Sequence, residues 1–171
     1  VSFEAGISQL GGNPIVLDSA GSQMSRGEPL RDMARVLSRY VDGIMIRTFG
    51  HDIAVTLARH ATVPVINGLT DALHPCQILG DLLTIREHRK TLDGLKVAYI
   101  GDGNNVAASW INACAALDFT LAVAAPLGFQ PEGPLYDTAR ARAGSRLIVT
   151  TSPCEAVQGA HIVYTDVWAS M

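Results

Sequence analysis

Short, mostly apolar runs alternate with segments of helical periodicity along almost the whole chain. The runs fall at residues 15–17, 43–46, 63–66, 96–100, 121–125, 147–149 and 162–164. Helical spacing of apolar residues marks 28–40, 51–61, 75–88, 106–117, 134–143 and 153–158. A strand that is apolar on both faces belongs in a parallel sheet covered by helices on two sides. The alternation therefore predicts an α/β fold built from doubly wound parallel sheets. The turn Leu92-Asp93-Gly94 divides the pattern, so two units are expected, 1–91 and 92–171. Residues 2–10 read as a helix closed by Gly11-Gly12, and the polar stretch 18–27 as a loop.

Composition narrows the function. At 48% hydrophobic and 17% charged residues, the chain has the makings of a sizeable core. Thirteen basic residues against sixteen acidic ones leave a net charge of −3, which argues against a nucleic-acid binder. No apolar run reaches membrane-spanning length, so no membrane partner is expected. Cys76, Cys114 and Cys154 are widely spaced, with no metal-ligand pattern. They suit a reducing, cytoplasmic compartment. The N-terminal Val1-Ser2-Phe3-Glu4 has neither the basic start nor the long apolar core of a signal peptide.

In such folds ligands sit beyond the carboxyl ends of the strands. Arg47, His74, Asn105 and Asp166 all fall there. His74 precedes Pro75, which disfavours a helical backbone at His74 and suits Pro75 to the first helical position. Ile78, Leu79, Leu82, Leu83 and Ile85 follow at helical spacing and are expected to form a buried face. His74 and Gln77 then lie on a first turn with unpaired N–H groups and the positive end of the helix dipole, a setting that favours phosphate. A capped core helix ending by chance in a histidine is the competing reading. Arg47 suits phosphate or a polarised carbonyl, and equally a surface ion pair.

Gly101-Asp102-Gly103-Asn104-Asn105-Val106 is a strand-to-helix glycine turn. It lacks the third glycine of a dinucleotide fingerprint, and no acidic residue closes the next strand. The two asparagines suit a carboxylate ligand or helix capping, with room for one to do each. Asp166 suits a substrate ammonium, with Ser170 beside it, or a plain strand-end turn. Cys76 has no base nearby in sequence, so no nucleophile is expected. His51, His60, His88 and His161 share no spacing and read as surface or capped residues.

Taken together, His74-Pro75-Cys76-Gln77, Met45-Ile46-Arg47-Thr48-Phe49, Gly101-Asp102-Gly103-Asn104-Asn105 and Asp166-Val167-Trp168-Ala169-Ser170-Met171 resemble the carbamoyltransferases, and among them the ornithine carbamoyltransferase family. The resemblance runs from Val1 to Met171. The opening Val1-Ser2-Phe3-Glu4-Ala5-Gly6 is similar to the segment after that family's Ser-Thr-Arg-Thr-Arg loop, and no His-Cys-Leu-Pro segment is present. The chain is thus expected to be an internal piece with both sheet domains truncated, and to show negligible turnover alone.

The resemblance implies that Gln23, Arg47, His74, Pro75, Cys76 and Gln77 bind carbamoyl phosphate, with Arg47 and His74 catalytic. Gln23 would reach a site across a subunit boundary. Asn105, Asp166, Ser170 and Met171 would bind L-ornithine. It further implies a homotrimer and no metal or organic cofactor. The expected reaction is attack of the neutral δ-amine of ornithine on the carbamoyl carbon, with phosphate leaving. Fixed donors aimed at the developing charge would drive it. The alternatives are a carbamoyltransferase for another amine, a non-catalytic relative, and a dinucleotide-binding oxidoreductase resting on Gly101 and Gly103 alone.

Overall fold

The structure is a computed structural model that describes residues 1–17 and 27–167. Gln23, Ser170 and Met171 lie outside the described residues, as does most of the expected 18–27 loop.

The first half carries α1 (Ser2–Gln9), α2 (Leu30–Leu37), β1 (Ile44–Arg47), α3 (His51–His60), β2 (Val65–Leu69) and α4 (Pro75–Arg89). The second half carries β3 (Lys96–Ile100), α5 (Asn105–Ala116), β4 (Thr120–Ala124), α6 (Pro134–Ala143), β5 (Leu147–Thr150), α7 (Pro153–Val157) and β6 (Ile162–Thr165). Every strand pairing is parallel. β1 and β2 form one sheet, and the other runs β5-β4-β3-β6. The α/β architecture with parallel sheets is thus as the alternation predicts.

Three expectations need correction. Residues 15–17 form no strand. Ile15, Val16 and Leu17 are 60–69% exposed, and no described strand lies alongside to complete a ladder. β2 begins later than expected and runs on through Asn67, Gly68 and Leu69. Its register against β1 shifts between Ile46 and Arg47, with Ile46 opposite Asn67 but Arg47 opposite Leu69. Gly68 is the extra residue. A Cβ there would lie 2.6 Å from Met45 Sδ and 3.1 Å from the Ile46 carbonyl oxygen, so the close approach needs glycine.

The third correction concerns α4. Ile78, Leu82 and Ile85 are buried, but Leu79 and Leu83 are 65% and 50% exposed. They form a second stripe beside the first, and α5 and β2 cover only one. The covered stripe matters for the site. Ile78, Leu82 and Ile85 join the same core as Tyr99, Trp110 and Leu121 of the second half. The helix whose N-terminus carries His74 is therefore packed directly against the second half.

The second sheet also has a reversal. β3, β4 and β5 step one way, and β6 returns to the other side of β3. The switch point lies between β3 and β6, where doubly wound sheets open a crevice at their carboxyl ends. The loops that leave there are Gly101-Asp102-Gly103-Asn104 and Asp166. No helix among the described residues is long and apolar enough to cross a membrane.

Candidate active site

Asn104 and Asn105 divide the two roles open to the pair. Asn104 is the N-cap of α5. Its Oδ1 accepts from the Val106 and Ala107 N–H groups at 2.9 and 3.0 Å, and from the Tyr99 hydroxyl at 3.2 Å. Its Nδ2 donates to Asp166 Oδ2 at 2.9 Å, across the switch point. Asn104→Ala should destabilise the fold by about 1–2 kcal/mol in urea denaturation, because it unmakes this cap. Asn104→Asp should keep the cap, yet it sets a second carboxylate against Asp166.

Asn105 turns the other way. Its Nδ2 donates to the Thr70 carbonyl at 2.9 Å, in the first half. Thr70 is fully buried. Its hydroxyl lies 3.0 Å from His51 Nδ1. His51 is thus a partly buried partner of the loop before α4, a specific contact that the plain surface or capped reading did not foresee. Ser109, also buried, accepts from the His74 N–H at 2.7 Å and donates to the Asn105 carbonyl at 2.7 Å. Neither Thr70 nor Ser109 stood out in the sequence, where an isolated hydroxyl has no pattern to mark it.

At α4, Pro75 is the first helical residue and His74 the N-cap position, with no side chain capping the end. The Cys76 and Gln77 N–H groups therefore have no intrahelical acceptor. Gln77 is exposed, and its Nε2 donates to Asp81 at 3.1 Å. The Cys76 thiol donates to the Asn67 carbonyl at 3.3 Å, and burial pushes its pKa up, which fits a structural thiol better than a nucleophile. Arg47 ends β1 just past the register shift, exposed, and among the described residues it forms no ion pair. Bulges of this kind re-aim a side chain.

Burial lowers the His74 pKa below its ordinary 6.5. The Arg47 charge lowers it further, while Asp166 and Asp81 oppose the shift. One imidazole thus feels Arg47 from the first half and Asp166 from the second. Its Nδ1 is buried without a partner. Titration of the His74 ring by NMR should give a midpoint below 6.5, rising in Arg47→Ala and falling in Asp166→Asn. The unfolded chain takes up this proton at about 6.5, the native one only at lower pH. The contribution to stability is therefore complete above about 6.5 and is lost as pH falls toward the native value.

Two adjoining hollows of about 240 Å³ each open between Asp71 of the first half and Gly103, Asn104, Asn105 and Glu132 of the second. Arg47 and His74 line neither of them. The structure thus gathers Asn104 and Asn105 at a cleft between the halves. It sets His74 behind Asn105, tied to it through Ser109.

The sequence profile of the aspartate/ornithine carbamoyltransferase carbamoyl-P binding domain matches residues 1–87. That of the aspartate/ornithine carbamoyltransferase Asp/Orn binding domain matches residues 93–171. The chain belongs to the aspartate/ornithine carbamoyltransferase family. An ornithine carbamoyltransferase from Geobacter metallireducens is 55% identical over 171 residues, which is all of this chain and 56% of that protein. One from Pelobacter propionicus is 57% identical over the same share of each. The solved ornithine carbamoyltransferase of Pyrococcus furiosus superposes with a TM-score of 0.91 at 46% identity, covering 99% of this chain and 55% of its own. The chain thus spans a little over half the length of these relatives. Within this family Arg47 and His74 fall in the carbamoyl-P binding match, and Asn105 and Asp166 in the Asp/Orn binding match.

Proposed function

We propose that the protein carrying this chain transfers the carbamoyl group of carbamoyl phosphate to the δ-amine of L-ornithine, giving L-citrulline and phosphate. The observation that carries this reading is the family match, a carbamoyl-P binding domain over residues 1–87 and an Asp/Orn binding domain over 93–171, shared with ornithine carbamoyltransferases that are 55% and 57% identical. The uncapped helix start at His74, with Arg47 and Asp166 both shifting its pKa, is in keeping with it.

Arg47 and the free N–H groups of Cys76 and Gln77 hold the phosphate, with Gln77 able to add its side-chain amide and Pro75 fixing the turn. His74 has a lowered pKa, so at neutral pH it is an uncharged imidazole. It donates a hydrogen bond to the carbamoyl oxygen as charge grows there. Asp166 takes the ornithine α-ammonium, and the Asn105 amide binds the amino-acid backbone. The δ-nitrogen forms its bond to the carbamoyl carbon as the carbon–oxygen bond to phosphate breaks, and the amine proton passes to the departing phosphate. Holding both substrates between two halves supplies the proximity.

The family match supports a division into a donor-binding unit, 1–91, and an acceptor-binding unit, 92–171. The sequence resemblance supports a homotrimer in which Gln23 serves a neighbouring site, with Ser170 and Met171 completing the ornithine pocket. The free thiols Cys76, Cys114 and Cys154 fit a cytoplasmic setting.

Steady-state assay of the full-length protein tests the reading. Citrulline should form from L-ornithine, and kcat/KM for N-acetylornithine should be lower, since an acetylated α-nitrogen brings no charge to the half-buried Asp166 carboxylate. Product from aspartate or putrescine, with none from ornithine, would overturn it.

A further inference from the structure

The buried hydroxyls Thr70 and Ser109 complete a closed circuit of contacts between His74 and Asn105. We infer that they are positioning residues that fix the distance between the two substrate sites. The inference rests on the reading of His74 as a donor-side ligand and Asn105 as an acceptor-side ligand.

The circuit can be followed residue by residue. The Thr70 N–H donates to the Leu73 carbonyl at 2.9 Å, and the Leu73 N–H donates back to Thr70 Oγ1 at 3.2 Å. These two bonds close the turn that delivers His74. The His74 N–H donates to Ser109 Oγ at 2.7 Å, and that hydroxyl donates to the Asn105 carbonyl at 2.7 Å. The Asn105 side chain returns to the Thr70 carbonyl at 2.9 Å. Thr70 and Ser109 are 0% and 4% exposed, so water does not compete for these bonds.

The Thr70 peptide is held from further sides as well. His51 Nδ1 lies 3.0 Å from its hydroxyl, and the next N–H, that of Asp71, donates to the Phe49 carbonyl at 2.9 Å. The direction of the Thr70 carbonyl is thereby fixed, and with it the Asn105 amide. Two of the links, His74 to Ser109 and Asn105 to Thr70, join the loop before α4 to α5, so the circuit spans the two halves.

A transfer between two bound molecules depends steeply on their separation, and a 1 Å misplacement costs about 10²-fold. The circuit acts on that separation and leaves the phosphate contacts of Arg47 alone. Thr70→Val and Ser109→Ala in the full-length protein should each lower kcat per titrated active site by about 10- to 100-fold. KM for carbamoyl phosphate should stay within about twofold, and Thr70→Ser should restore kcat to within about threefold of the parent. A purely structural role would lower the fraction of active sites but leave kcat per site and its rescue pattern untouched.

Hydrogen exchange of the Asn105 side-chain amide, read by NMR in the same proteins, needs no turnover. It should be slow in the parent and in Thr70→Ser, and at least about tenfold faster in Thr70→Val and in Ser109→Ala. Unchanged kcat per site in both variants, or equal exchange in all four proteins, overturns the inference. A parent that exchanges slowly but makes no citrulline overturns the proposed reaction instead.

Discussion

Arg47→Ala should lower kcat/KM of the full-length protein by about 10²–10³-fold, the usual cost of removing one fixed donor to developing charge. The reason lies in how the side chain is presented. Arg47 ends a short parallel strand at a register shift, where Gly68 lets the two backbones close up. Among the described residues no carboxylate pairs with it, so its charge is free to meet an anion. It also lowers the pKa of His74. Two effects should therefore appear together in Arg47→Ala: weaker use of carbamoyl phosphate, and a His74 midpoint moved back toward 6.5. Arg47→Lys should recover the charge effect on His74 but little of the rate, because an ammonium cannot reproduce the planar fork. A loss smaller than about threefold in Arg47→Ala would remove Arg47 from the donor site.

The second large effect is on stability. Trp110 is fully buried on α5, edge-on to the Phe119 ring at 6.0 Å and the Tyr164 ring at 5.4 Å. Tyr164 in turn stacks on Tyr99 at 5.9 Å. Trp110→Ala should destabilise the protein by about 3–5 kcal/mol in urea denaturation, from lost burial and the cavity left behind. Trp110→Phe should cost far less. The indole N–H is buried without a partner, so its removal relieves a desolvated donor while most of the ring contact remains. The alanine cavity would also loosen Tyr164, two residues before Asp166, so binding of ornithine should weaken more than binding of carbamoyl phosphate.

The central strands of the second sheet, β3 and β4, were legible because they are buried on both faces, as Val97, Ala98, Leu121 and Ala122 show, whereas the edge strands β5 and β6, with Ile148 and Val163 exposed, were legible only as short apolar runs. Pro75 and the pre-proline position of His74 likewise marked the start of α4 to the residue. Leu79 and Leu83 misled because periodicity gives the direction of an apolar face but not its width. Residues 15–17 misled for a related reason: an apolar run becomes a strand only where another strand lies beside it.

At the candidate site, Arg47, His74, Asn105 and Asp166 stood out because rare side chains follow apolar runs at strand ends. The asparagine pair could not be divided from sequence, since either residue suits an N-cap. Only the side-chain hydrogen bonds show that Asn104 caps and Asn105 reaches for Thr70. Thr70, Ser109 and His51 act through contacts between residues 19 to 35 positions apart, which no local pattern records.

The central claim is that the His74 helix tip and the Asn105–Asp166 loops serve one reaction from two sides. A crystal structure of the full-length protein with an analogue joining an acetyl phosphonate to the δ-nitrogen of ornithine tests it most directly. The phosphonate should lie against Arg47 and the start of α4, its carbonyl oxygen toward His74, and the α-ammonium against Asp166. An analogue held by one half alone, with Arg47 and His74 or with Asn105 and Asp166 left untouched, would contradict the account.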